Sequence, residues 1–589
     1  MAPITFGNCF GWLHEGWGDI GVVICPGIGW DAHKAHGSLR LLADDLARLG
    51  YPTLRFDYQG TGDAKDLDGK DFCAAWLESV TAASGWLRAT GVRQLVFCGV
   101  RLGALLAGVV ATQRDDIRAI VLLDPVTSGS SYLREVSIAA GLAPGLGENA
   151  LEIAGLQLAS RPDASLRELS LLTMRSMPAR HILILTSSAS PALARLAGHM
   201  RLLGADVAQA AFEPMMEYDS SGQVKPGVDL GRIGDWLRQV ATPVPWPKLQ
   251  QRMSADMSTG EFVECPVRFG PAQSLFGMLC RPTQESEPGF VLIIGSVGAV
   301  PHYGFARFHV RLARRLAAAG IASLRFDFKG IGDSLPDAPT ASTHVYEVDR
   351  TLDMAAAIDA LQDLGYNRFA VAGLCSGAYH AFRASLADDR VQALLMLNPA
   401  TFVWHEGQTF ARFQQDNHRS TRFYLGTLAH RRGWARLVRG ELDIAKAART
   451  VCKHALRRLA AVGARVAGSL EWPTEGEFPR RAMQRLSARG VRILLLMGTM
   501  DGGLDMVLAH FGRGGRWLAA LPGGAVSLIP DLDHNLSRIS MQEKAVSVVL
   551  NFIQAGRAEM GRPAEPERED YCAHASEHRE TACLTPISP

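Results

Sequence analysis

The sequence is poor in the features that would announce a partner or a compartment. Its ten cysteines (Cys9, Cys25, Cys73, Cys98, Cys265, Cys280, Cys375, Cys452, Cys572 and Cys583) contain no C-x-x-C pair. Neither a zinc site nor a disulfide framework is therefore expected. Most of them lie in apolar runs such as LVFCG, where a reduced cysteine acts as a small hydrophobe. The opening MAPITFGNCF lacks a basic stretch followed by an apolar one, so no signal peptide is expected. No apolar run reaches the roughly 18 residues of a membrane-spanning helix. The formal charge of +2 favours neither nucleic acid nor a membrane surface as a partner. No cofactor or metal is expected, and a reducing cytoplasm is the default location. What remains is 47% hydrophobic and 20% charged residues over 589 positions, the balance of a globular protein too long for one core.

The chain contains itself twice. LRFDYQGTGD (54–63) returns as LRFDFKGIGD (324–333), VVICPGIG (22–29) as VLIIGSVG (291–298), and FGWL (10–13) as FGML (276–279). LVFCGVRLGALLA (95–107) is matched by FAVAGLCSGAYHA (369–381), and AIVLLDPVT (119–127) by ALLMLNPAT (393–401). The offset stays between about 266 and 274 throughout, which chance does not maintain, so a domain has been duplicated. Each copy alternates short apolar runs with amphipathic stretches, the pattern of a doubly wound, mostly parallel sheet. The expected organisation is a first domain over 1–242, a Pro-rich linker over 243–261, a second domain over 262–556 and a disordered tail over 557–589. An insertion follows the DP or NP strand in each copy, giving caps over about 127–178 and 401–485. The second cap reads as helical and basic, with ten Lys/Arg between Arg431 and Arg465 against only Glu441 and Asp443. Arg431, Arg432 and Arg436 are its candidate anion-binding residues; a solvated helical face is the plainer reading.

The chemistry lies in one turn. Gly373-Leu374-Cys375-Ser376-Gly377 follows an apolar strand and precedes a helix, the setting of a nucleophile elbow. That makes Cys375 the candidate nucleophile and the Ser376 N–H one oxyanion donor. The second donor is expected from GSVG, at the Val297 N–H. The strand VRILLLMG leads to Asp501, with Asp505 one turn on as the alternative acid, and AVSLIP leads to His534. A G-x-C-x-G alone is weak. Nucleophile, acid and histidine in that order, each at a strand end, are specific. In the first copy the elbow is Gly99-Val100-Arg101-Leu102-Gly103. Arginine stays protonated and cannot attack. The strand HILILTSS ends in no acid, and no histidine follows where one is due. The first copy thus reads as inactive, with Arg101 either gripping an anion or paired structurally to an acid such as Asp124.

On these motifs both copies resemble the α/β-hydrolase superfamily, which implies two tandem α/β-hydrolase domains, each with a helical cap insertion. GVRLGALLA and PVTSGSSYL in the first copy further resemble exosortase-system-associated hydrolases, implying an exopolysaccharide-linked context. The second copy resembles serine-aminopeptidase-like and esterase-like hydrolases but has Cys375 in place of serine. In this it is similar to polyhydroxyalkanoate synthases and cysteine thioesterases, which transfer acyl groups. The expected function is an ester or thioester hydrolase or acyltransferase working through an acyl-cysteine. Its substrate would be a small molecule or carrier-linked acyl group, such as an acyl carrier or coenzyme A thioester. The competing reading is a non-catalytic scaffold of two decayed domains, which should have lost His534 or its acid.

Overall fold

The computed structural model describes residues 1–560 except 68–70, 142–150, 154–155, 159–163, 189, 213–215, 219–223, 227–229, 248–254, 285–288, 337–344, 406–407 and 409–477. The first copy forms an eight-stranded sheet. In spatial order its strands are Ala2–Phe6, Cys9–His14, Thr53–Asp57, Ile20–Cys25, Gln94–Val100, Ile117–Leu123, His181–Thr186 and Asp206–Ala211. The first two pairings are antiparallel and the rest parallel. The second copy repeats this as nine strands: Met257–Ser258, Phe262–Phe269, Leu275–Pro282, Ala322–Asp327, Phe290–Gly295, Arg368–Leu374, Val391–Leu397, Arg492–Gly498 and Gly524–Ile529. Five consecutive parallel pairings run through its centre.

Helices cover both faces, which is why the central strands are continuous apolar runs rather than alternating ones. Val291, Leu292, Ile293 and Ile294 are all buried. The helix Phe308–Ala318 shows how a face is chosen. Phe308, Leu312 and Leu316 recur every fourth residue and pack inward, while Arg311 and Arg315 face outward toward Glu543. Truncating Leu312 to Ala would remove about 2–5 kcal/mol from that face. The helix Phe72–Ala89 begins where the Asp71 side chain accepts the Ala74 N–H at 3.1 Å, supplying a partner the first turn lacks.

The insertion expected over about 127–178 contains the helices Gly129–Gly141 and Ala164–Glu168 with a two-stranded ribbon between them. Of the second cap, residues 406–407 and 409–477, which include Arg431, Arg432 and Arg436, lie outside the described residues, while 401–405 and the start of the helix Phe478–Ala488 are described. The expected linker is partly docked: Asp19 N–H meets the Val244 carbonyl at 3.0 Å, and Arg93 covers the Trp246 ring at 5.0 Å. Met257–Ser258 already belongs to the second sheet, because its N–H and C=O groups find partners on Phe262–Phe269.

The repeated blocks meet each other across the domain boundary. Trp12 of FGWL packs edge-to-face on Phe276 of FGML at 4.6 Å, within a buried cluster with Phe10, Met257 and Met278. The two LRFD segments exchange charges. Arg55 donates to Asp333 at 2.8 Å, and Arg325 donates to Asp63 at 2.9 Å, all four side chains being buried. His302 sits between Asp63 and Asp327, at 2.6 and 2.9 Å. Arg325 also meets Glu264, and Arg314 joins Glu264 to Asp66.

Candidate active site

Cys375 stands between the strand Arg368–Leu374 and the helix Ser376–Ala387 with φ 54°, ψ −113°, a backbone conformation that side-chain-bearing residues seldom adopt. The turn is tight because nothing separates its arms. A Cβ on Gly373 would lie 2.1 Å from the Gly377 carbonyl carbon, so that position accepts only glycine. The Cys375 N–H is donated to the Leu397 carbonyl at 3.0 Å, which ties the elbow to the next strand. The thiol is half-buried at the helix N-terminus.

His534 reaches it from the loop after the last strand. The imidazole lies close enough to the Cys375 thiol to be the strongest charge acting on it, and its Nδ1 is 2.7 Å from Asp501 Oδ2. Asp501 is buried, and its second oxygen accepts the Gly503 N–H at 2.7 Å, which fixes the carboxylate plane. The loop bearing His534 is itself held. Asn398 donates through Nδ2 to the carbonyls of Asp533 and His534 at 2.9 and 3.1 Å, and its Oδ1 accepts the Gly498 N–H at 2.8 Å. Asp533 accepts the N–H groups of Asn535 and Ser537. The structure therefore brings Cys375, His534 and Asp501 together. Asp505 is buried in the helix Leu504–Phe511, and the histidine faces Asp501 instead.

The electrostatics favour a charged pair. Burial pushes the Cys375 thiol up, but the His534 imidazole and the Tyr346 hydroxyl outweigh it and hold the thiol below its ordinary range. Burial likewise pulls His534 down, yet Cys375 and Asp501 raise it well above the usual histidine value. Both shifts favour a thiolate beside an imidazolium, the reactive form of a cysteine nucleophile.

The turn after Phe290–Gly295 is clamped to the elbow by Ser376, whose Oγ accepts the Gly298 N–H at 2.7 Å. With Gly298 so occupied, the expected oxyanion donors fall in these two turns: the Ser376 N–H directly after the nucleophile, and the Val297 N–H in a turn where Val297 is bridged to Val300. Around them lies an apolar wall of Val345, Tyr346, Tyr379 and Ala400, with Trp404 packed against it. Asn398 and Tyr346 were not anticipated from sequence, and Trp404 was expected only as an aromatic near the basic cap. Asn398 carried a signal, since it is the Asn of the repeated LNPAT block; Tyr346 lies in a segment with no counterpart in the first copy.

The first copy keeps the elbow without the chemistry. Arg101 has φ 52°, ψ −117°, within a few degrees of Cys375, and a Cβ on Gly99 would lie 2.4 Å from Ala104 Cα. Its guanidinium is held by Asp31 at 3.3 Å and by Glu135, and Nη1 donates to the Asp124 carbonyl at 3.4 Å. The Asp124 carboxylate instead accepts the N–H and hydroxyl of Ser187, at 2.8 and 2.7 Å. The acids paired with Arg101 are thus Asp31 and Glu135, brought close by folding and far away in sequence. At the position corresponding to Asp501 the strand His181–Thr186 runs into Ser187 and Ser188.

Comparison with known proteins agrees with this architecture. Residues 291–548 match the model of an alpha/beta hydrolase family, and residues 21–198 match a model described as the alpha/beta hydrolase fold. The chain is a tandem α/β-hydrolase-fold protein. No curated protein matches it in sequence. Among solved structures it is similar to a hypothetical protein of Pseudomonas aeruginosa, at 16% identity and TM-score 0.33, over 52% of this chain and 99% of the other. It is also similar to Est1E from Butyrivibrio proteoclasticus, at 16% identity and TM-score 0.29, over 50% of this chain and 99% of the other. A Pyrococcus furiosus esterase gives 14% identity and TM-score 0.31, over 50% of this chain and 91% of the other. Fold and family together support a hydrolase-type enzyme. Among the described residues, no helix is long and apolar enough to cross a membrane, and no group of three or more His, Cys, Asp or Glu is arranged to hold a metal.

Proposed function

We propose that the second domain is an acyl-transfer enzyme acting on an ester or thioester through an acyl-cysteine at Cys375. One observation carries this reading: a strained elbow cysteine stands beside a histidine whose Nδ1 meets a buried aspartate at 2.7 Å. A decayed site has no reason to keep all three.

In this reading the Cys375 thiolate attacks the acyl carbonyl carbon and forms a C–S bond. The carbonyl oxygen takes the electron pair as an oxyanion, stabilised by the Val297 and Ser376 N–H groups. Collapse breaks the bond to the leaving oxygen or sulfur, which takes its proton from the His534 imidazolium. The neutral imidazole then removes a proton from water or from an acceptor hydroxyl, which attacks the thioester and regenerates the thiolate. Asp501 keeps the imidazole in the useful tautomer and stabilises its charged form. Water as acceptor makes the enzyme a hydrolase, and another hydroxyl makes it an acyltransferase. The basic cap suits an anionic substrate such as an acyl carrier or coenzyme A thioester. The first domain is a pseudo-hydrolase, and its motifs point to an exopolysaccharide-linked setting.

Incubation with p-nitrophenyl acetate followed by peptide mass spectrometry tests the reading. An acetyl group on Cys375, absent from Cys375→Ala, is expected; turnover by Cys375→Ala above a few per cent of the parent's would overturn it.

A further inference from the structure

The phenol of Tyr346 lies 3.5 Å from the Cys375 sulfur, an ordinary separation for an O–H···S contact. Tyr346 is buried, and its ring packs against Trp404, Tyr379 and His380. It stacks almost flat on the Trp404 indole, with centroids 4.7 Å apart and planes at 8°. It meets Tyr379 edge-to-face at 5.5 Å. Behind it, the His380 Nε2 bonds to the Val345 carbonyl at 2.7 Å, which ties the backbone next to Tyr346 to the elbow helix itself. The same helix therefore fixes both the thiol and the loop that presents the phenol. A hydroxyl on a rigid ring, anchored to the element that carries the nucleophile, is placed by the fold rather than by chance contact.

We propose that Tyr346 is a further catalytic residue, donating a hydrogen bond from its hydroxyl to the Cys375 thiolate. This rests on the acyl-cysteine reading above. Burial and the neighbouring thiolate keep the phenol in its protonated form, so it can only donate toward that sulfur. The thiolate then has two donors, the His534 imidazolium and the Tyr346 phenol. His534 must give up its proton to the leaving group during acylation, and Tyr346 keeps its own. After acylation the sulfur becomes a neutral thioester and a much weaker acceptor, so the bond to the phenol weakens. It forms again as the thiolate departs in the second step. Tyr346 consequently stabilises the leaving thiolate in deacylation, without any proton changing hands. The flat Trp404 partner holds the ring and acts as a positioning residue.

The experiment is the pH dependence of Cys375 alkylation by iodoacetamide, read by mass spectrometry on the full chain, with half-buried Cys265 as the internal comparison. The parent should alkylate at Cys375 well below the pH at which Cys265 reacts. Tyr346→Phe should move the Cys375 midpoint upward by about one pH unit and slow alkylation below it roughly tenfold, about 1.4 kcal/mol. Its deacylation rate after a p-nitrophenyl acetate burst should fall as well. Trp404→Leu, which leaves the hydroxyl but removes the stack, should shift the midpoint in the same direction by less. A parent whose Cys375 is no more reactive than Cys265 would sink the acyl-cysteine reading itself. A reactive parent with an unmoved midpoint in both variants would overturn the role of Tyr346 alone.

Discussion

Asp63 of the first domain accepts a hydrogen bond from Arg325 of the second at 2.9 Å, and both side chains are buried. The reciprocal pair, Arg55 with Asp333, closes the same boundary from the other side. Taking such charges out of water is expensive, and removing one partner strands the other. Asp63→Asn keeps the size but leaves His302 with Asp327 alone and Arg325 with Glu264 alone. Urea unfolding should show a loss of about 3 kcal/mol or more, with the transition losing cooperativity if the domains part before they unfold.

The pH dependence of that boundary has a definite sign. Burial raises Asp63 and Asp333, but their cationic partners outweigh it and hold both below the ordinary carboxylate range. Their contribution is present above the unfolded value near 3.9 and disappears as pH falls through the lower folded values. His302 is opposite: burial lowers it, but Asp63 and Asp327 raise it well above the ordinary histidine value. Its contribution is complete below about pH 6.5 and declines as pH rises through the folded value. Melting temperature should therefore hold through mildly acidic to neutral pH and fall on the alkaline side. Asp63→Asn should bring that alkaline decline to lower pH, since His302 keeps one carboxylate where it had two. An alkaline limb that the substitution does not move would show that His302 is not charged at neutral pH.

Cys375 and His534 titrate as a pair, the thiol held low and the imidazole held high. The active form is the one in which the thiolate has lost its proton and the imidazole has kept its own. With an activated ester, kcat/KM should rise through an ionisation below the ordinary thiol range. It should fall again through one above the ordinary imidazole range. His534→Asn removes the partner, so the lower limb should move up toward an unassisted, buried thiol. A profile identical to the parent's would mean that another base serves Cys375.

Asp501→Asn should lower kcat/KM by about 10⁴, because the amide presents a donor where the imidazole N–H needs an acceptor. Asp505→Asn should leave the folded enzyme within about threefold of the parent. The contrast follows from His534 Nδ1 lying 2.7 Å from Asp501 Oδ2. If Asp505→Asn proved the costlier change, the resting geometry would differ from the working one.

Most of this site was readable because its demands on the chain are local. The elbow needs glycines at fixed positions around the nucleophile, and Gly373 and Gly377 stand there in plain sequence. Asp501 and His534 follow apolar strands, where a parallel sheet delivers its functional loops. The unread parts depend on tertiary contact. Tyr346 sits in a loop with no matching segment in the first copy, so no register pointed to it. The LRFD and G-x-G-D blocks were visible as repeats, but periodicity reports which face of its own sheet a residue occupies. It does not report that Arg325 crosses to the other domain. The near-neutral net charge conceals this too, since the opposed charges cancel in the sum. Arg101 was expected beside an acid such as Asp124; the backbone at Asp124 turns its carboxylate to Ser187, and Asp31 and Glu135 take the guanidinium instead.

Arg101 tests what the first domain contributes. Its side chain is about a quarter exposed, and Glu135 is mostly exposed, so solvent weakens the pair to about 1 kcal/mol at most. Its backbone meanwhile sits at φ 52°, a conformation that costs a non-glycine residue about 1 kcal/mol or more. Arg101→Gly relieves that strain while losing the ion pairs, and the two effects should nearly cancel in the melting temperature. Arg101→Ala loses the pairs and keeps the strain, so it should melt lower than Arg101→Gly. Neither should change the rate at which Cys375 is acylated by a small activated ester, because Arg101 is held within the first copy by Asp31 and Glu135. If KM for an anionic acyl thioester rose in both variants while the small ester was unaffected, Arg101 would be releasing its acids to take the substrate's charge. A fall in acylation of the small ester itself, with the melting temperature intact, would mean that the first domain still takes part in the chemistry.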